Sequence, residues 1–173
     1  MTSRELAARV AALLIERRQT LAVAESSAGG LIASGLLAVP GASAYFLGGA
    51  VVYTAQAREA LLGITPEMMA GMRASTEGYA KLLAARARGK LGADWGLAET
   101  GATGPSGNRY GDAAGHACFA VSGLLAWRMA QDQAPSPGGE AARTLETGSA
   151  DREANMEAFA VGALRMLEEA LTG

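Results

Sequence analysis

Two segments of the chain carry the same order of residue types: a short apolar run, a glutamate, a hydroxyl side chain and then glycines. One is Val23-Ala24-Glu25-Ser26-Ser27-Ala28-Gly29-Gly30, and the other is Leu97-Ala98-Glu99-Thr100-Gly101-Ala102-Thr103-Gly104. If the apolar runs are strands, both clusters fall at strand carboxyl ends, where α/β sheets bind their ligands. A serine on a strand-to-helix turn can stand exposed beside unpaired helical N–H groups. That setting suits a nucleophile with an oxyanion, or a bound phosphate. The same residues also fit a purely architectural role, with Ser26 capping a helix and Gly29 and Gly30 allowing tight packing. The loop Gly101-x-x-Gly104-x-x-Gly107 offers N–H groups and hydroxyls to a phosphate or ribose. It equally fits a long turn, and it is neither a Walker A loop nor a Rossmann fingerprint.

Other chemistry-bearing residues are sparse. His116 is the only histidine and falls in an apolar strand-like run with no acid or serine close by in sequence. It reads as structural, and a Ser-His-Asp triad is not expected. Cys118 reads as a core residue, and Asp112 as a loop residue. One cysteine excludes an internal disulfide, and the lack of clustered His, Cys and Asp argues against a metal site.

The elements that must position these clusters follow from hydrophobic period and punctuation. Thr2 and Glu5 have capping-box spacing ahead of a helix over 2–18, with Leu6, Val10, Leu13 and Leu14 on one stripe. A buried strand is expected over 20–25, a helix over 30–38 stopped by Pro40-Gly41, and a strand over 47–53. Thr54 caps a helix over 55–62 that Gly63 closes. Thr65-Pro66-Glu67 is a helix restart signal, with proline at the first helical position. Ser75 or Thr76 caps a helix to about Leu91. A third strand over 94–99 runs into a loop over 100–108. A hairpin over 115–122 and 125–131 turns at Gly123, a surface loop spans 133–140, and 142–147 forms an edge strand. The last helix runs from about Asp151 to Leu171. Strands and helices that alternate and then give way to a hairpin indicate an α/β fold: a three-layer domain with a mixed β-sheet flanked by helices.

Composition bounds the rest. The chain has 173 residues, which suits one domain spanning 1–173 with a core large enough to need no staples. Its 39 alanines and 23 glycines favour close helix–sheet approach. A net charge of −2 without a basic block excludes nucleic acid as an expected partner. No apolar run nears the ~18 residues of a membrane span, and the opening residues resemble no signal peptide. A cytoplasmic location is expected. Of fifteen basic residues only Lys81 and Lys90 are lysine.

The clusters and their surroundings resemble the CinA C-terminal domain family, which includes bacterial nicotinamide mononucleotide amidases. Ala24-Glu25-Ser26-Ser27-Ala28-Gly29-Gly30-Leu31 is similar to the family's Ala-Glu-Ser-Cys-Thr-Gly-Gly segment. The likeness continues through Pro40-Gly41-Ala42-Ser43, Gly48 to Tyr53, and Ala57 to Gly63. It extends to Thr76-Glu77 and to Thr100-Gly101-Ala102-Thr103-Gly104-Pro105, which is similar to Ser/Thr-Gly-Ile-Ala-Gly-Pro. The resemblance implies hydrolysis of the carboxamide of nicotinamide mononucleotide to nicotinic acid mononucleotide and ammonia, without metal or cofactor. It assigns the nucleophile to Ser26, a helper tyrosine to Tyr53 and the helper-lysine position to Arg58. Ser27, Gly29, Gly30, Thr76, Thr100, Gly101, Thr103 and Gly104 would line the site of a phosphorylated, nucleotide-like small molecule. A homo-oligomer, most simply a dimer, is implied.

The chain departs from the family pattern at the expected site. Arg58 stands where the family has lysine, and a guanidinium keeps its proton, so it can orient or bind but is a poor base. Met156 stands where the family often has an arginine, and Ala113-Ala114-Gly115-His116-Ala117 replaces Pro-Val-Gly-Thr-Val. Many family members carry a larger N-terminal domain, so a stand-alone form is expected. The alternative to an amidase is a binding module with a regulatory role, in which the same pocket holds a pyridine nucleotide or another phosphorylated metabolite without turning it over.

Overall fold

The computed structural model describes residues 1–123 and 139–173. Its frame is a five-stranded sheet in the order β2-β1-β3-β4-β5. The strands are β1 (Leu21–Glu25), β2 (Phe46–Val51), β3 (Trp95–Ala102), β4 (His116–Gly123) and β5 (Gly139–Glu146). β1 pairs in parallel with both β2 and β3, while β4 runs antiparallel to β3 and β5 antiparallel to β4. The mixed three-layer α/β sheet expected from the order of elements is therefore present.

Helices cover both faces. α1 (Ser3–Arg17), α2 (Leu31–Leu37) and α5 (Arg152–Thr172) pack on one side against Leu21, Val23, Trp95, Leu97 and Phe119. α3 (Ala55–Leu62) and α4 (Glu77–Leu91) lie on the other, over Ala22, Ala24, Ala98, Cys118 and Ala120. The small residues on that second face let α4 approach the sheet closely. A methyl group at Gly96 would collide with the Ala84 carbonyl of α4, so the helix can sit this close only over glycine. On the first face the large side chains Trp95, Phe119 and Phe159 are fully buried. Each such burial stabilises by about 1.5–3 kcal/mol.

Local signals set most boundaries. Thr2 and Glu5 form the capping box of α1, Thr54 caps α3, Thr76 caps α4 and Asp151 caps α5 through their side chains. Each such cap is worth about 1 kcal/mol. Ser75 does not cap; it adopts a left-handed φ of 59° just before Thr76.

Three expectations are corrected. The Pro66 restart builds turns and no helix: Met69 and Ala70 N–H groups donate three residues back, and Gly71 at φ 75° reverses the chain before a regular turn can propagate. β3 does not stop at Glu99 but runs to Ala102, because Thr100 and Ala102 pair with Cys118 and His116 of β4. The strand opposite β4 is Gly139–Glu146, so the edge strand placed at 142–147 begins earlier and Gly139 and Glu140 belong to it. The expected hairpin arm at 125–131 and most of the 133–140 loop lie outside the described residues.

Among the described residues no helix is long and apolar enough to cross a membrane.

Candidate functional site

The parallel register of β1 and β3 brings the two look-alike clusters together. Val23 lies opposite Leu97 and Ala24 opposite Ala98, so the next step along each strand carries Glu25 and Glu99. Both side chains point to the α1/α2/α5 face, and both are buried. Each then binds the turn that follows β1. Glu99 Oε2 accepts the N–H groups of Ser26 (3.0 Å) and Ala28 (2.8 Å), and its Oε1 accepts the Ser27 hydroxyl. Glu25 accepts from Gly30 (2.7 Å), Ile32 (3.3 Å) and Ala33 (2.6 Å), which closes the start of α2.

Two carboxylates share this turn, and no salt bridge joins either to a cation among the described residues. Burial disfavours their charge, and the N–H donors only partly offset it. Burial raises the Glu99 pKa to about 7 against the pull of Ser27, Ala28 and Ser26, and Glu25 adds repulsion. Burial also raises Glu25, opposed by the N–H groups of Ala33, Gly30 and Ile32.

The two carboxylates leave little of the turn's donor capacity over. The Gly29 N–H reaches the Ser26 carbonyl at 3.3 Å. Through residues 26–30 the Ser27 N–H alone makes no hydrogen bond to a described residue. Ser26 is half-buried, and its Oγ likewise has no partner there. A free hydroxyl thus sits beside one free N–H. Gly29, at φ 66°, faces α5: a Cβ there would come within 2.9 Å of Met156 Cε. Met156 therefore walls the turn with a thioether where the resembled family often has an arginine.

Tyr53 and Arg58 enter from the neighbouring strand. Val52 N–H donates to the Glu25 carbonyl (2.7 Å), so Ser26 and Tyr53 leave the sheet side by side. Tyr53 is 63% exposed, two residues beyond the end of β2. Arg58, on α3, lies with its guanidinium 5.6 Å above the ring of Tyr79. No hydrogen bond joins Ser26 to Tyr53 or to Arg58. Tyr79 is buried against α3 and the strand ends, and burial raises its phenol pKa while Arg58 pulls it down.

The second cluster is held from α4, β4 and α5. Thr76 caps α4 and donates to the Arg73 carbonyl (3.0 Å). Thr100, buried on β3, accepts the Ser75 N–H at 3.3 Å. Gly101 is pressed against β4, where a methyl group would meet the His116 carbonyl. Thr103 is buried, and its carbonyl accepts the Asn155 side-chain amide at 2.8 Å. Gly104, at φ 106°, precedes a cis peptide bond to Pro105, and its carbonyl accepts Arg152 at 2.7 Å. This loop is therefore a tied structure. Its beginning is strand, and its end closes on itself through the Asn108 N–H and the Asp112 carbonyl (3.0 Å).

Several residues that hold the site were not singled out from the sequence. Asn155 is almost fully buried and also donates to the Ser149 carbonyl (2.8 Å) while accepting from Thr147 (2.6 Å). Nothing in its local pattern announces this, because its partners come from two distant loops. Asp112 forms a two-pronged pair with Arg73 at 2.6 and 3.0 Å. His116, read as lacking an acid neighbour, has one in space: Nδ1 bonds Glu146 of β5, Nε2 lies 2.9 Å from the Ser75 carbonyl, and Asp112 stands at 3.9 Å. Both ring nitrogens face acceptors, an arrangement that favours the doubly protonated imidazole. Cys118 is buried beside it, as expected of a core residue.

The chain is similar to known proteins over nearly its whole length. The profile of the CinA C-terminal domain matches residues 3–171. A protein of Symbiobacterium thermophilum named for competence-damage induction is 39% identical over 95% of this chain, and a CinA-like protein of Gloeobacter violaceus is 42% identical over 68%. The chain spans 37% and 28% of the lengths of these two relatives. Among solved structures, a CinA superfamily protein of Klebsiella pneumoniae superposes with a TM-score of 0.86 at 27% identity, covering 99% of both chains. A competence/damage inducible protein of Agrobacterium tumefaciens gives 0.83 at 27%, covering 99% of this chain and 96% of its own.

Proposed function

The chain belongs to the CinA C-terminal domain family, and we propose that it is an amidohydrolase acting on nicotinamide mononucleotide or a related carboxamide, with Ser26 as nucleophile. The observation that carries this reading is the Ser26 hydroxyl, free of hydrogen bonds to described residues at the carboxyl end of β1, next to the free N–H of Ser27. In the proposed reaction Ser26 Oγ bonds to the amide carbon as its proton is relayed through the Tyr53 hydroxyl to the amide nitrogen. The Ser27 N–H stabilises the oxyanion of the tetrahedral adduct. The C–N bond then breaks and ammonia leaves with a proton. Water hydrolyses the remaining ester, giving the carboxylate and restoring Ser26. Tyr53, leaving the sheet beside Ser26, is the helper hydroxyl of this scheme. Arg58 orients Tyr53 or the substrate phosphate, since a guanidinium does not accept the serine proton. Thr76, Thr100, Gly101, Thr103 and Gly104 frame the side on which the ribose phosphate would lie. A homodimer is the proposed assembly, readable by light scattering.

A second reading has its own support. No basic side chain bonds Ser26, and Arg58 stacks on Tyr79. A site so arranged can hold a phosphorylated pyridine nucleotide without cleaving it, as a regulatory binding module. Ammonia release from nicotinamide mononucleotide, measured beside calorimetric binding, separates the two. Release that disappears in Ser26→Ala supports the amidase. Binding with no release in either the wild type or Arg58→Lys supports the module and overturns the amidase.

A further inference from the structure

We propose that Glu99 is a positioning residue for Ser26, holding the nucleophile turn in its reactive pose through three hydrogen bonds to residues 26–28. The inference rests on the amidase reading for its kinetic consequence, though not for its structural content.

The geometry is unusual for a strand carboxylate. Glu99 is wholly buried and binds nothing on its own strand. All three of its donors come from a turn 71 to 73 positions earlier in the chain. Two are the N–H groups flanking Ser27, so the carboxylate fixes the peptide planes on either side of the one N–H that stays free. The third is the Ser27 hydroxyl, which is thereby directed inward and away from the Ser26 Oγ surface. A buried carboxylate without a cation is expensive to retain. Its only visible return here is the fixed conformation of Ser26-Ser27-Ala28.

The grip survives a change of charge. Ionised, Glu99 accepts all three bonds. Protonated on Oε1, it still accepts both N–H groups on Oε2 and donates to Ser27 Oγ instead. Its surroundings leave this choice near neutrality, since burial raises the pKa to about 7. The groups facing it are few. From β1, Glu25 opposes its charge. α2 carries no ionisable residue. Arg152 of α5 is bound to the Gly104 carbonyl, and Glu157 to Ser3 of α1. From β4, His116 and Cys118 point to the opposite face of the sheet, at Ser75. When Glu99 is ionised, a full negative charge lies one peptide unit from the place where the oxyanion forms. The neutral form is therefore the faster one.

Glu99→Gln tests this, because the amide reproduces the neutral form: its oxygen accepts the two N–H groups and its NH2 donates to Ser27. The full chain, labelled with 15N on the backbone and 13C on glutamate carboxyls, is titrated by NMR from pH 5 to 9. One carboxyl should titrate near pH 7 and vanish in Glu99→Gln, with the Ser26 and Ala28 amide signals moving at the same midpoint only in the wild type. In steady-state kinetics kcat should fall three- to tenfold above that midpoint in the wild type and stay flat in Glu99→Gln, with KM within twofold. Glu99→Ala, which removes the grip, should lose at least 100-fold in kcat if it folds by circular dichroism; if it does not, Glu99→Gln decides alone. Ser26 and Ala28 amide signals that Glu99→Gln leaves in place at every pH overturn the proposal, as does a wild-type kcat in a folded Glu99→Ala. Absence of any hydrolysis defeats the amidase reading instead, while the NMR titration still decides the role of Glu99.

Discussion

The guanidinium of Arg58 lies 5.6 Å over the ring of Tyr79, so the residue standing at the family's lysine position is held by a buried phenol and makes no bond to Ser26. Stacking of this kind is worth about 0.5–1 kcal/mol at a partly exposed site. It suits a permanent cation that binds or orients. An ammonium on a flexible stem can shed its proton when desolvated, and so can serve as a base. Arg58→Lys is therefore expected to raise the rate of ammonia release at pH 8 at least tenfold, with an unfolding midpoint slightly below the wild type. A lower rate in Arg58→Lys would show that the guanidinium itself serves the reaction.

Ser26→Ala should separate chemistry from structure. The backbone N–H of Ser26 feeds Glu99 regardless of the side chain, and the Oγ has no partner to lose. Stability should stay within about 0.5 kcal/mol of the wild type in urea unfolding. Turnover should fall by three orders of magnitude or more, and nucleotide affinity should change less than threefold. Retained turnover would move the nucleophile elsewhere.

Asn155→Ala should act on both stability and the site. The amide satisfies the buried Thr103 carbonyl and the half-buried Ser149 carbonyl and Thr147 hydroxyl. Removing it leaves these groups unpaired, at about 1–3 kcal/mol for such a loss. A drop of that size in denaturant unfolding is expected, together with a rise in KM as the loop after Thr103 slackens. An unchanged KM would detach this loop from substrate binding.

His116 gives a pH signature distinct from that of Glu99. Burial pulls its pKa down, but the bonds to Glu146 and the Ser75 carbonyl, with the charge of Asp112, outweigh this and leave it above the ordinary imidazole value. A raised pKa in the folded state means that protonated His116 stabilises the fold. That contribution is complete below about pH 6.5 and disappears as pH climbs through the folded value. Urea midpoints of the wild type should fall toward those of His116→Gln between pH 6 and 9. Parallel curves would show that the ring carries no linked proton.

The frame of the molecule was largely legible in its residues. Caps at Thr2 and Thr54, the stop at Gly63 and the stripe of α1 are local signals with local outcomes. Where sequence reasoning went astray, a partner far along the chain decided the matter. Thr100 to Ala102 look like a glycine-rich loop until β4 pairs with them. Pro66 is the exception, where a near neighbour decided: its local signals start a helix, but Gly71, five residues on, reverses the chain too soon. The repeated order of apolar run, glutamate, hydroxyl and glycine did mark two clusters that the fold brings together. It could not show that the glutamates turn toward one shared turn, since that follows from β1 and β3 lying side by side. Asn155 and the Glu146 partner of His116 were invisible for the same reason.

The adjacency of β1 and β3 also governs how the molecule comes into being. Ser26 and Glu99 are 73 positions apart, and the helices α2, α3 and α4 and the strand β2 must be laid down between them. Pairing over such a separation closes a long loop and is slow compared with forming the helices. On a growing chain the segment through Gly63 can emerge with its capped helices while the Ser26 turn still lacks one of its two carboxylate anchors. The hydrogen-bonded geometry of the Ser26 turn is thus withheld until the middle of the chain has docked, so the nascent N-terminal portion carries the turn's sequence without its shape.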